Sequence, residues 1–300
     1  MKVGVVGAGV MGTGVAQCFA EGGHTVVVVD PDPRALTGAP RRIRDGLRLR
    51  ALLGVRSAGD RSAGDRPEEI LPRIVWTDRL GELADAEFIV ECALERLAVK
   101  EQVFRELDRV CPSATSLASC TSAVPIGRLG AFTGRPDRVI GTHFMNPAPI
   151  KNTVEVIRSA ATSDETVSAT IDLLAGIGKK AIVVADAPGF VSNRVLMATI
   201  NQAVAVIHDG IADAAAVDEI FEKCVGHAMG PLRTADLIGL DTVLDSLVVL
   251  RDCTGNTMYE PCPLLVELVR NGRLGRKSGR GFHDYRTPAQ ADKPGDALTT

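Results

Sequence analysis

Val3-Gly-Val-Val6 runs directly into Gly7-Ala-Gly9-Val-Met-Gly12, and a second apolar run, Thr25-Val-Val-Val-Val29, ends at Asp30. This stretch decides the fold. A valine-rich strand feeding a glycine-spaced turn that opens a helix is the setting in which G-x-G-x-x-G binds a dinucleotide. Gly7 makes the tight turn, Gly9 lets the backbone approach a pyrophosphate, and Gly12 lets the helix pack closely on the strand. The helix start then presents N–H groups and the positive end of its dipole to the phosphates. Asp30 stands 23 residues after Gly7, where a carboxylate accepts from ribose hydroxyls. Asp30 and the nearby Asp32 repel a 2′-phosphate, so NAD is expected over NADP, with Arg34 the neighbour that would oppose this preference.

Outward from this stretch, short β-branched runs alternate with helical patterns, which predicts a parallel sheet with crossover helices. Strands are expected at Val3–Val6, Thr25–Val29, Phe88–Glu91, Ser116–Ser119, Val139–His143, Thr153–Ile157 and Ala181–Val184. Helices are expected near Met11–Glu21, Arg34–Leu53, Val99–Val110 and Glu165–Ile177. After Asp186 the strands stop, and helices are expected from Pro188 to about His208, at Ala212–Cys224, at Arg233–Arg251 and at Pro263–Asn271. The predicted class is α/β: a Rossmann-like parallel-sheet domain over 1–186, an all-α domain over 187–286 and a polar tail over 287–300.

Three hundred residues suit two such domains. A net charge of −3, from 34 basic and 37 acidic residues, argues against nucleic acid as the main partner. Seven scattered cysteines without a CxxC pair fit free thiols in the cytoplasm and give no metal site. Lys2 and the apolar run to Ala20 imitate a signal peptide, but five glycines make that run a poor apolar helix, and no other uncharged apolar run reaches 18 residues; neither secretion nor a membrane span is expected. Residues 34–66 hold nine arginines against three aspartates and include a tandem pentapeptide, Arg56-Ser-Ala-Gly-Asp60 and Arg61-Ser-Ala-Gly-Asp65, read as a loop insertion. The basic stretch is either a solvated helix face or a landing strip for an anionic carrier.

Alcohol oxidation needs a base for the hydroxyl proton, and a carboxylate-held histidine serves near neutral pH. Of five histidines only His143 closes a sheet strand at its C-terminal end, the edge where ligands of such sheets bind. Glu155 follows twelve residues later on the next strand, where a hairpin-like return brings it to the imidazole; strand-end caps and surface pairs have the same spacing.

The string Gly141-Thr-His-Phe-Met-Asn-Pro147, then Val154-Glu-Val156 and Pro188-Gly-Phe-Val-Ser-Asn-Arg194, resembles the 3-hydroxyacyl-CoA dehydrogenase family. So do Gly230-Pro-Leu, Ala235-Asp-Leu-Ile-Gly-Leu-Asp241 and Leu274-Gly-Arg-Lys-Ser-Gly-Arg-Gly-Phe-His-Asp-Tyr285. The resemblance implies His143 as catalytic base, Glu155 as its orienting carboxylate, Ser122 as the hydrogen-bonding partner of the substrate hydroxyl, and Asn193 near the thioester. It also implies cofactor contacts from Val10 and Met11 in the glycine loop and from Ala93, Glu95, Lys100, Ser122 and Asn146. From residue type alone, Ser122 and Asn193 are equally helix caps, and Glu95 with Lys100 a surface pair. The family further implies a homodimer built on the helical domain.

Departures cluster around the acyl side. Cys120, Ala123 and Met145 stand where the family commonly has Asn, Ser and Phe; Lys151-Asn-Thr153 replaces Met-Lys-Leu, and Arg233-Thr234 replaces Glu-Leu. The expected activity is NAD-dependent interconversion of a 3-hydroxyacyl thioester, on CoA, and its 3-oxo form. Two alternatives stay open: the same chemistry on a short polar acyl group carried by acyl carrier protein, as in polyketide extender-unit supply, and a non-catalytic NAD-binding protein. Intact Ser122, His143 and Glu155 argue against the last.

Overall fold

A computed structural model describes residues 1–52 and 66–286. The tandem pentapeptide, Leu53 and the tail from Thr287 lie outside the described residues. The chain divides into two compact units, Met1–Phe190 and Val191–Thr300.

The first unit runs β1 (Lys2–Val6), α1 (Val10–Glu21), β2 (Thr25–Val29), α2 (Pro33–Leu52), α3 (Pro67–Ile70), β3 (Ile74–Thr77), β4 (Phe88–Glu91), α4 (Leu97–Val110), β5 (Ser116–Ser119), α5 (Ile126–Gly130), β6 (Val139–Phe144), β7 (Thr153–Arg158), α6 (Asp164–Gly176) and β8 (Lys180–Ala185). The strands form one sheet in the order β3-β2-β1-β4-β5-β6-β7-β8. Both faces are covered, which explains the unbroken valine runs. Along β2, Val26 and Val28 enter one core with Phe19 and Ile43, while Val27 and Val29 enter the other with Leu83 and Phe104.

The expected parallel sheet is present as a mostly parallel one, the hairpin-like return expected between His143 and Glu155 is its one antiparallel pairing among the described strands, and a further strand is added. The parallel arrangement holds from β3 to β6, but β7 runs antiparallel to β6, and β8 follows β7. The connection Met145–Asn152 is too short for the dozen or more residues of a crossover, so the chain can only turn back. The sequence reading also lacks β3, a four-residue edge strand in register with Val26–Val29. It is short, and among its four residues Ile74 alone is buried, so its pattern is weak.

The second unit is helical: α7 (Ser192–His208), α8 (Ala214–Lys223), α9 (Pro231–Ile238), α10 (Leu240–Thr254) and α11 (Pro263–Arg270). Their apolar faces bury Leu232, Leu240, Val243, Leu247 and Leu265 completely. The single helix expected over Arg233–Arg251 is two, because Gly239 adopts φ +106°, which a helix interior cannot hold. Pro231 sits at the first turn of α9, whose open N–H groups at Leu232 and Arg233 donate to the buried Asp218 carboxylate of α8. Among the described residues no helix is long and apolar enough to cross a membrane.

The segment after α11 is fastened by a second buried carboxylate. Asp236 of α9 accepts from the Phe282 and His283 amides, each at 2.9 Å, and from the Tyr285 hydroxyl at 3.1 Å, while His283 Nε2 lies 2.7 Å from Asp218. Asp236→Ala leaves these donors without their acceptor and is expected to lower unfolding stability by about 3 kcal/mol, read by urea denaturation; an unchanged midpoint would refute this role.

Candidate active site

The C-terminal ends of β1, β2, β4, β5 and β6 gather the site residues of the first unit on one edge of the sheet. At β1 the glycine loop has the geometry its spacing predicts. Gly7 adopts φ +106°, and a Cβ there would lie 2.5 Å from the Cys92 carbonyl oxygen. A Cβ on Gly12 would come within 1.8 Å of the Gly7 oxygen, so only glycine lets α1 begin this close to β1. Gly9, the N-cap of α1, differs: a Cβ there meets nothing within 4 Å. No side chain caps α1 and its first turn holds no acid; Val10 at its start is exposed, while Met11 packs on the core. These features fit a dinucleotide pyrophosphate.

Asp30 follows β2 and is held in place by its backbone neighbours. Its Oδ2 accepts from the Ala8 amide at 2.7 Å and its Oδ1 from the Asp32 amide at 2.8 Å, which ties the carboxylate to the glycine loop. Arg34 is exposed, and its amide donates to Asp32. Arg42 departs from the reading of residues 34–66 as one basic surface: its Nη2 donates to the Ala8 carbonyl at 2.6 Å and to Ala35 at 2.8 Å, so α2 braces the loop from behind. Arg50 is also buried, paired with Glu21 at 2.6 Å. Among the described residues of α2, Arg34, Arg41, Arg44 and Arg48 remain outward.

Ser122, His143 and Glu155 come together. The register places His143 opposite Glu155 across the antiparallel β6–β7 pair, with Glu155 Oε2 3.0 Å from His143 Nδ1. The other ring nitrogen, Nε2, lies 3.1 Å from Ser122 Oγ. His143 and Glu155 are both buried, and Phe190 meets the imidazole edge-on at 5.8 Å. With Nδ1–H donating to the carboxylate, Nε2 carries the lone pair and can accept a proton.

Glu95 and Lys100 form more than a surface pair: Lys100 is buried, while the Glu95 side chain is 42% exposed and has further partners. Glu95 Oε1 accepts from the Thr121 hydroxyl and from the Ser122 and Ala123 amides, both at 3.1 Å, while Oε2 pairs with Lys100 at 3.1 Å. Partial desolvation pushes the Glu95 carboxyl up, but Lys100 and the Thr121 hydroxyl pull harder, and its pKa falls below the ordinary glutamate value. Burial likewise opposes the Lys100 charge, and Glu91 with Glu95 outweighs it and raises the ammonium pKa. Ala93 donates its amide to Glu91, Asn146 is exposed just beyond β6, and Asn193 lies in the other unit, at the second position of α7. The neighbouring Cys120 and desolvation hold the Cys92 thiol well above its usual range and make it a poor nucleophile.

The sequence reading missed Glu91 and Ser119, both completely buried. The available signal was a carboxylate ending the apolar run Phe88-Ile-Val-Glu91, where a buried charge requires a partner.

Comparison with known proteins agrees with this geometry. Residues 2–187 match the NAD binding domain of 3-hydroxyacyl-CoA dehydrogenase and residues 189–285 match its C-terminal domain. A probable 3-hydroxybutyryl-CoA dehydrogenase of Bacillus subtilis is 44% identical over 288 residues, covering 95% of this chain and 97% of that protein. The 3-hydroxybutyryl-CoA dehydrogenase of Bradyrhizobium diazoefficiens is 41% identical, with 95% of each chain covered. The crystal structure of (S)-3-hydroxybutyryl-CoA dehydrogenase from Ralstonia eutropha superposes with a TM-score of 0.87 at 36% identity, covering 95% of this chain and 99% of that one. The chain belongs to the 3-hydroxyacyl-CoA dehydrogenase family. It is an NAD-dependent oxidoreductase of the 3-hydroxyacyl-CoA dehydrogenase type.

With Asp30 fixed against the glycine loop, NAD should bind at least about tenfold more tightly than NADP, a gap of about 1.4 kcal/mol. Asp30→Asn should narrow it by removing the charge that repels a 2′-phosphate. Fluorescence titration measures both; equal affinities in the unaltered enzyme would contradict the assignment.

Proposed function

We propose that the enzyme interconverts 3-hydroxybutyryl-CoA and its 3-oxo form, with His143 as the base and Glu155 as its orienting carboxylate. The observation that carries this reading is the line Ser122 Oγ, His143 Nε2, His143 Nδ1, Glu155 Oε2, with successive contacts of 3.1 and 3.0 Å. When bound, the nicotinamide supplies the acceptor for the C3 hydride. Ser122 hydrogen-bonds the substrate hydroxyl beside Nε2, His143 takes its proton, and Glu155 balances the imidazolium that results. In the reverse direction His143 returns the proton to the 3-oxo oxygen.

A serine, a histidine and an acid in line also serve acyl transfer, where amides next to the serine stabilise an oxyanion. Here the Ser122 and Ala123 amides already donate to Glu95, which favours proton transfer over acyl transfer. The four-carbon acyl group is proposed from the names carried by the relatives. CoA is favoured over a carrier protein because Arg42 and Arg50 turn inward and thin the basic face a carrier would use.

A homodimer through the helical unit is part of this proposal. Its support is an apolar groove lined by Ala198, Val206, Ile211, Ile220 and Phe221, in which Ile211 is 72% exposed and Ile220 52%. A cytoplasmic location is proposed from the seven free thiols.

His143→Gln should lower kcat for oxidation by at least about a hundredfold while NAD affinity persists. Glu155→Gln should also lower kcat, by a smaller factor, because the imidazole loses its charge partner. Both are read as NADH formation at saturating 3-hydroxybutyryl-CoA, and a fully active His143 variant would remove the mechanism.

A further inference from the structure

Glu91 ends β4 with none of its surface exposed, and Lys100, the cation that neutralises it, is 1% exposed. Its two oxygens are fully engaged. Oε1 accepts from the Ala93 amide at 2.7 Å and from Lys100 Nζ at 2.9 Å; Oε2 accepts from the Ser119 hydroxyl at 2.6 Å and from the same ammonium at 3.0 Å.

Two separate routes lead from this carboxylate to the segment that carries Ser122. The first is short. Ser119 Oγ donates to Glu91 and accepts from the Thr121 amide at 3.2 Å, one residue before Ser122. The second passes through charge: Glu91 holds Lys100, Lys100 holds Glu95 Oε2, and Glu95 Oε1 accepts from the Ser122 and Ala123 amides and the Thr121 hydroxyl. The backbone adds a third tie, since the Cys120 amide donates to the Glu91 carbonyl at 2.7 Å. Ser122 Oγ then stands 3.1 Å from His143 Nε2.

We infer that Glu91 is a positioning residue: it fixes the Thr121–Ala123 backbone by both routes and so sets the reach of Ser122 to His143. The inference rests on the proposed role of Ser122 beside the base. Glutamine cannot substitute, because its amide nitrogen would replace one of two oxygens that each accept from Lys100 and from a second donor, the Ala93 amide or the Ser119 hydroxyl. Small displacements matter here, since a reacting group moved by about 1 Å can cost as much as a hundredfold in rate.

The test is a double-mutant cycle on the full-length enzyme with NAD, combined with amide hydrogen exchange. Glu91→Gln should lower kcat by about tenfold in the native background and by less than about twofold when Ser122 is already alanine. KM for the substrate should change little, and exchange at Thr121, Ser122 and Ala123 should quicken by about tenfold or more. Ser119→Ala, which cuts one route and leaves the Glu91–Lys100 pair intact, should show the same signs at smaller size, and it carries the test if Glu91→Gln does not fold. Equal loss of kcat in both backgrounds, or unchanged exchange at the three amides, overturns the inference. Faster exchange together with a fully active Ser122→Ala enzyme upholds the positioning and instead removes Ser122 from the proposed mechanism.

Discussion

The site depends on the direction of one strand. Because β7 returns antiparallel to β6, His143 and Glu155 occupy paired positions in register, and two residues twelve apart in sequence meet at 3.0 Å. A crossover helix would have carried Glu155 elsewhere. The reversal is enforced by the short Met145–Asn152 connection, and it is held by Lys179, whose buried ammonium donates to the carbonyls of Ala148 and Lys151. The dyad is therefore built into the hydrogen-bonded ladder of the sheet, which positions side chains more precisely than a loop.

Around it the electrostatics are arranged in pairs. Glu91 with Lys100 is fully buried, and removing one partner of such a pair typically costs about 3–5 kcal/mol, far more than an exposed pair contributes. That cost explains why the charges are divided so carefully. Lys100 pairs with two carboxylates, the buried Glu91 and Glu95, and Glu95 also accepts from the Ser122 and Ala123 amides. The cofactor end is built by exclusion: Gly7 and Gly12 are required by backbone contacts, whereas Gly9 keeps a surface open.

What was legible in the sequence was local. The glycine spacing, Asp30 and the valine runs each act within one β-α-β unit, so their pattern reads directly as geometry. His143 could be singled out because strand ends are visible in the hydrophobic pattern, and the turn toward Glu155 followed from the short gap. The Glu91–Lys100–Glu95 network was hidden because its meaning lies in contacts to Ser119 at the end of β5 and Thr121 just beyond it, 26 to 28 residues away. Arg42 was hidden for a related reason: nothing in a run of arginines says which one points inward. Gly239 was passed over because one glycine in an apolar periodic stretch is compatible with a continuous helix until its φ is known.

The central claim is that Glu155 fixes the ring so that Nε2 is the nitrogen that accepts the proton. Nitrogen NMR of the 15N-histidine-labelled enzyme at about pH 8, above the ordinary histidine range, tests it most directly. His143 is expected to be protonated at Nδ1 and bare at Nε2, with the Nδ1 proton shifted downfield by the Glu155 carboxylate and that shift lost in Glu155→Gln. A ring protonated at Nε2, or an Nδ1 proton indifferent to Glu155→Gln, would contradict it.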